Sequence, residues 1–338
     1  MAQGLLLTFI LTVISTIIAK IPQVQSLGFS PLVIGIVLGI VYANTTKDQF
    51  RDKFKTGVVF SAKKILRFAI ILYGFNITFQ AIYDVGLEGI LISLLIVVST
   101  FILGTFVGMK IFKLDRDTSM LTASGSAVCG AAAVLATEPV LKAEPYKSAV
   151  AVSTVVFFGT LSMFLYPVIY SSGILNLDMS QFGVYIGATI HEVAQVVAVG
   201  GIYGGETADN AVIVKMTRVM LIAPMLIVLG LALVFMVKNS SNGDEVSAKN
   251  KLVIPWFAVG FIAMSGVNSI DLIPAQIVEY IKILDVFLLT MAMTALGMET
   301  NISKFKNVGL RPLYTAGIMF IWLLVGGYFI TKYITEWL

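Results

Sequence analysis

The sequence predicts an all-α, polytopic membrane protein of about eleven transmembrane helices, some of them discontinuous, organised as an inverted-topology repeat. Three observations predict it. Of the 338 residues, 58% are hydrophobic and 12% charged, whereas a soluble domain carries roughly a quarter charged residues. Apolar runs close to the ~20 residues that cross a bilayer recur almost without interruption, so the solvent for most of the chain is lipid. The chain also resembles itself when slid by about 224 positions.

The apolar runs fall at about 4–21, 30–44, 65–80, 89–109, 118–137, 148–171, 181–204, 211–237, 252–268, 276–298 and 313–331. Met1–Ile21 lacks a basic start and a clear small-residue cleavage site, and so reads as a retained first helix. The net charge of +4 does not point to nucleic acid. Its Lys and Arg residues lie between apolar runs, not on one basic, aromatic-studded face. They report topology instead. Lys47, Arg51, Lys53, Lys55, Lys63 and Lys64 place the loop at 45–64 in the cytoplasm. Alternation then puts Lys110, Lys113 and Arg116, then Lys238, Lys249 and Lys251, then Lys304, Lys306 and Arg311 on the same side. Asp84, Glu88 and Asp271 fall outside. The N-terminus is expected inside and the C-terminus outside. Asn239–Asn250 resembles a short solvated linker. One cysteine, Cys129, excludes an intramolecular disulfide framework and a multi-cysteine metal cluster. No cofactor motif is present.

The repeat organises a single domain, 1–338. A shift of 224 pairs Pro31 with Pro255 and Asn44 with Asn268. A shift of 223 pairs Gly74 with Gly297, Val85-Gly86-Leu87 with Val308-Gly309-Leu310, and Gly104 with Gly327. The halves are approximately 31–110 and 255–333, around a central broken-helix region at 118–237. Seven spans separate the triplets, and an odd offset inverts one against the other. A weaker likeness joins 129–150 to 191–212. It conflicts with parity if both 118–137 and 181–204 cross fully, so either the match is chance or one segment does not cross.

The chemistry concentrates in three segments. In the fifth run Ser124, Gly125, Ser126, Cys129 and Gly130 lie mid-membrane. Such a cluster either packs helices closely or lets the helix unwind and expose a positive half-helix terminus to an anion. In the seventh run His191, Glu192 and Gln195 stand in apolar surroundings, where ionisable groups suggest function. His191 and Gln195 are expected on one helical face, with Glu192 on the next. The segment resembles a zinc-protease helix whose second His is Gln, which argues against metal. A substrate or proton site fits, as does a structural hydrogen bond. Lys215 and Arg218 are expected near the outer end of the eighth run, either binding an anion or snorkelling to headgroups. Glu279, Lys282 and Asp285, at three-residue steps, either serve structure, the favoured reading, or pair with one another as a solvated entrance. Asn76 and Glu299 are repeat-equivalent and are candidates for ion coupling, or else simply end their helices.

Pro31-Leu-Val-Ile-Gly with Gly39 and Asn44, Gly125-Ser-Ala-Val-Cys-Gly-Ala-Ala-Ala133, His191-Glu-Val-Ala-Gln-Val-Val-Ala198, Lys215-Met-Thr-Arg218 and Ala223-Pro224 together resemble the YeiH-type family. These are uncharacterised bacterial integral membrane proteins that carry a sulfate-exporter label. The resemblance spans nearly the whole chain and implies a multi-pass protein of the bacterial cytoplasmic membrane. The family is in turn similar to bile-acid sodium symporters and cation–proton antiporters, whose crossed, broken helices line a midplane site. Here the second triplet follows the second broken segment instead of preceding it. The reading is a secondary transporter of a small sulfate- or sulfonate-like anion, driven by a proton or sodium gradient. Ser124, Ser126, Gly125, Cys129, Gly130, His191, Glu192, Gln195, Lys215 and Arg218 are expected to bind substrate. His191, Glu192, Asn76 and Glu299 are expected to couple the ion. The rivals are a membrane-embedded enzyme acting through His191 and Glu192 and a passive anion channel.

Overall fold

A computed structural model describes residues 1–25, 30–238, 256–300 and 309–337. Lys249, Lys251, Lys304, Lys306, Pro255, Val308 and the expected linker Asn239–Asn250 lie outside the described residues. Every element among the described residues is helical. Helix α1 is Ala2–Ala19, α2 is Pro22–Gln25 and α3 is Pro31–Thr45. Helix α4, Asp48–Phe60, passes through a π turn, Ser61–Ile65, into α5, Leu66–Tyr73, and a 3-10 turn, Gly74–Asn76. Helix α6 is Phe79–Phe106.

The central region comprises α7, Arg116–Ala127; α8, Ala131–Leu141; α9, Pro145–Ser171; α10, Met179–Thr189; α11, Val193–Tyr203; α12, Gly205–Met220; and α13, Ile222–Lys238. The chain closes with α14, Trp256–Ser269; α15, Ala275–Glu299; and α16, Leu310–Trp337. Six helical stretches among the described residues are long and apolar enough to cross a bilayer alone.

The runs expected at 118–137 and 181–204 are not single rods. A straight helix from Arg116 to Leu141 would carry the chain ~39 Å. Instead, Lys147 near the head of α9 pairs with Asp115 at 2.9 Å and Asp117 at 3.1 Å, beside the head of α7. Met120 and Leu121 share an apolar cluster with Leu141 and Ala143. Helices α7 and α8 therefore fold back on each other as a hairpin. The same happens in the second segment. At the head of α12, Thr207 Oγ1 donates to Met179 O at 2.9 Å, and Asn210 Nδ2 to Ser180 Oγ at 2.8 Å. Each of these segments returns to the side from which it started.

Around the hairpins, α3 and α15 pack at backbone distance. A Cβ at Gly39 would stand 2.2 Å from Thr294 O, so only glycine permits the approach. Two long-range bonds fasten this frame. Asn44 Nδ2 donates to Thr300 O at 3.1 Å, and Asn268 Nδ2 donates to Ile77 O at 3.1 Å.

Candidate functional site at two helix breaks

The first break is built by conformation. Asp115 caps α7 by accepting from Thr118 N at 3.1 Å. The helix ends at Ala127, and Gly130 reverses the chain with φ of +74°, where a side chain is strained. The second break needs no glycine. Ile190 and Glu192 are extended, and Glu192 is the N-cap of α11 in a capping box with Gln195. Gln195 Oε1 accepts from Glu192 N at 3.1 Å. The break explains why the expected helical-face relation between His191 and Gln195 fails. His191 and Glu192 precede the helix, so its periodicity does not govern them.

Each break leaves carbonyls at one half-helix end and amides at the other. In lipid an unmet backbone group costs several kcal/mol. Lys215 and Arg218 meet the carbonyls. Lys215 Nζ donates to Val128 O at 2.8 Å, Ile190 O at 2.7 Å and His191 O at 2.6 Å. Arg218 Nε donates to Ala127 O at 2.6 Å, Nη2 to Ser126 O at 2.5 Å, and Nη1 to Ala188 O at 2.7 Å and Ile190 O at 3.2 Å. Both side chains are 0% exposed. The expectation of a pair near the outer headgroups is corrected: the two cations stand between the negative ends of α7 and α10, where the helix dipoles favour them.

The amide ends converge on Glu192. Its Oε1 accepts from Ala131 N, the first residue of α8, at a long 3.4 Å, while the residue itself heads α11. A Cβ on Gly130 would stand 2.5 Å from Glu192 Cγ. One carboxylate thus sits at the positive ends of two half-helices. It also lines a cavity of about 630 Å³. Cys129, Glu138, Ser148, Ser153 and Glu299 line the same space, with exposed Lys63 and Arg67.

The remaining predicted residues divide. Cys129, Glu192 and Glu299 line the cavity. Ser124, Gly125 and Ser126 are buried behind it, with Ser124 Oγ turned back to Leu121 O at 2.9 Å and Gly125 against Val134 and Val155. His191 is buried with neither ring nitrogen hydrogen-bonded among the described residues, and its ring lies 6.4 Å from that of Phe320. Gln195 fits against Gly159, where a Cβ would be 2.3 Å from its Oε1. Asn76 closes its 3-10 turn away from the cavity lining. Asp285 is buried and makes no ion pair with Lys282 among the described residues, so the expected solvated entrance does not include it. Sequence reasoning missed Glu138, Ser148 and Ser153, whose shared wall arises from the packing of α8 on α9. Ser148 and Ser153 are two of several hydroxyl residues along α9, so their type alone did not single them out.

The comparisons with known proteins find relatives named as membrane proteins. Residues 3–316 match the family model described as "Conserved hypothetical protein 698". A UPF0324 membrane protein of Bacteroides thetaiotaomicron is 46% identical over 340 residues, covering 100% of each chain. The UPF0324 inner membrane protein YeiH of Escherichia coli K12 is 47% identical over 324 residues, covering 96% of this chain and 91% of that one. A UPF0324 membrane protein of Pseudomonas putida is 46% identical over 329 residues, covering 97% and 92%. No solved structure matches the chain. With a family model over nearly its whole length and relatives near half identity from end to end, the chain belongs to the UPF0324 family of membrane proteins.

Proposed function

We propose that the protein is a secondary transporter that carries a small oxyanion, sulfate- or sulfonate-like, together with a proton. The observation that carries the reading is the seat of Glu192, an internal anion held at the positive ends of α8 and α11 at the inner edge of a cavity. Half-helix amides facing a cavity are a ready anion site. When Glu192 is ionised it fills that site itself. When it is protonated the site is open to another anion.

Charge balance supports a proton over sodium as the coupling ion. Three carboxylates line the cavity, Glu138, Glu192 and Glu299, and of these only Glu192 is buried, in the electrostatic range of the buried Lys215. In an interior of low dielectric an unmatched charge is costly. Protonating Glu192 removes the buried negative charge beside Lys215, and an arriving anion replaces it. Sodium would have to find a cage of oxygen ligands, whereas a proton needs only the carboxylate. In this reading Lys215 and Arg218 act through their field and through the shape they give the breaks, without touching the cargo.

The folded-back segments support nine full crossings and two hairpins in place of eleven spans. The charge assignment survives, because each hairpin removes one crossing on either side of α9. It also removes the parity conflict: hairpin and α9 would enter from one face, hairpin and α12 from the other. The bonds from Asn44 to Thr300 and from Asn268 to Ile77 join positions that correspond under the 223–224 shift, which supports an inverted repeat. N-terminus inside and C-terminus outside remains the orientation that the basic loops favour. Alternating access, not a passive channel or an enzyme, suits such a repeat.

The test is flux of labelled anions into proteoliposomes under imposed proton and sodium gradients, comparing wild type with Glu192→Gln. Accumulation driven by the proton gradient and abolished in the variant is expected. If no oxyanion moves in protein shown to be folded, the reading fails.

A further inference from the structure

Helix α15 runs between two cavities. Glu299, at its end, lines the space that holds Glu192. Glu279 and Lys282, near its start, line a second cavity of about 560 Å³ beside the turn from α14. Between them, one helical turn beyond Lys282, lies Asp285. Its residue is 0% exposed, and neither carboxyl oxygen has a hydrogen-bond partner among the described residues. It shares an inward stripe with Leu289 and Ala292, while Ile283, Leu284 and Val286 face outward.

A carboxylate there has nothing to compensate its charge, whereas a carboxylic acid has no charge to compensate. Three of the helices packed on α15, namely α1, α3 and α11, contain no charged residue. The basic α4 and π turn meet α15 at its other end, at Ala295 and Met298. Two ionisable groups face the Asp285 side from other helices: Tyr73 of α5, within electrostatic range of Asp285, and Asp209 of α12, which lies near both Tyr73 and Lys282. With Lys282, which lines the second cavity, these groups are ionisable side chains of the described residues that interact electrostatically around the buried carboxyl.

We propose that Asp285 is a second proton-binding site, loaded from the cavity at the opposite end of α15 from the one that opens onto Glu192. The carboxylate takes up H⁺ from that cavity to give the neutral acid and releases it to the same cavity. Its use in coupling rests on the transport reading above; the binding itself does not.

Infrared spectroscopy of the full-length protein in lipid tests the binding directly. Wild type is expected to show the carbonyl stretch of a protonated carboxyl at neutral pH, shifted by ¹³C-aspartate labelling and lost at alkaline pH. The band should be missing in Asp285→Asn and Asp285→Leu and return in Asp285→Glu. A band unmoved by aspartate labelling, or still present in a folded Asp285→Leu, overturns the proposal, and the labelling needs no variant to fold. In proteoliposomes Asp285→Asn should lower proton-driven accumulation roughly tenfold while leaving anion exchange at equal pH near wild type. Unchanged accumulation would remove Asp285 from coupling without touching the anion assignment. Absence of any flux in wild type would defeat the transport reading and leave the infrared result standing on its own.

Discussion

Glu192 heads one half-helix and accepts the first backbone amide of another, Ala131 N, so a single carboxylate serves two positive helix ends. Glu192→Gln keeps the shape and removes the charge. Proton-driven anion uptake is expected to fall roughly tenfold or more, a rise of at least ~1.4 kcal/mol in the transport barrier. Thermal unfolding in detergent should change little. A variant with wild-type uptake and wild-type pH dependence would remove Glu192 from the mechanism.

Lys215→Met tests a different element of the site. It leaves the carbonyls of Val128 and His191 without their donor, while Ile190 O keeps its bond from Arg218 Nη1. Each buried unmet group costs ~1–3 kcal/mol, so a loss of ~3–5 kcal/mol in stability is expected, read as a marked drop in melting temperature or in the folded fraction by size-exclusion chromatography. Lys215→Arg should rescue only partly, since a planar fork does not fit three carbonyls gathered around one ammonium.

Gly130→Ala separates geometry from charge. The positive φ costs ~1–2 kcal/mol for any other residue, and the new methyl would stand 2.5 Å from Glu192 Cγ. A folded protein with impaired uptake and a displaced Glu192 is expected. If uptake is normal, the seat of Glu192 is less constrained than its surroundings indicate.

Cys129 is a native reporter, because it is the chain's one cysteine and lines the Glu192 cavity. A small maleimide should label it from the side bearing Lys63 and Arg67, and transported oxyanions should slow the labelling. Labelling from the other side alone would contradict the position of the cavity.

The base of the first hairpin carries the pH prediction. Burial pushes the Asp115 carboxyl upward, but hydrogen bonds from Thr118 and Lys147 outweigh it and hold the group below the ordinary carboxylate range. A depressed carboxylate lends stability that is present above its unfolded value of about 4 and is lost as pH falls through the lower folded value. Between pH 5 and 8 this anchor stays intact, so any change in uptake there belongs to other groups. Asp115→Asn should unfold at a lower temperature than wild type at pH 7, with the difference vanishing in strong acid.

Much of the site was legible because membrane sequences tolerate few polar residues. The run from Ser124 to Gly130 announced a break, since glycine at positive φ has a residue-type signature. Glu192 and Gln195 announced a site but were misread as a continuous helix; their three-residue spacing is also that of a capping box, the pattern that sets the second break. Lys215 and Arg218 stood out, yet their partners could not. Backbone carbonyls exposed by a broken helix have no residue type of their own. The parity conflict between 118–137 and 181–204 hinted at the hairpins without deciding them: crossing and folding back use equal lengths of equally apolar chain, and it takes the pairing of Lys147 with Asp115 and Asp117, and of Thr207 and Asn210 with Met179 and Ser180, to distinguish them.

The three bonds from Lys215 and four from Arg218 tie the tips of both hairpins to one face of α12. Pulling the tips apart would strand two buried cations and their carbonyls at once. The tips and α12 must therefore travel as one solid body. On the transport reading, any change of access occurs where that body faces α5 and α15 across the Glu192 cavity.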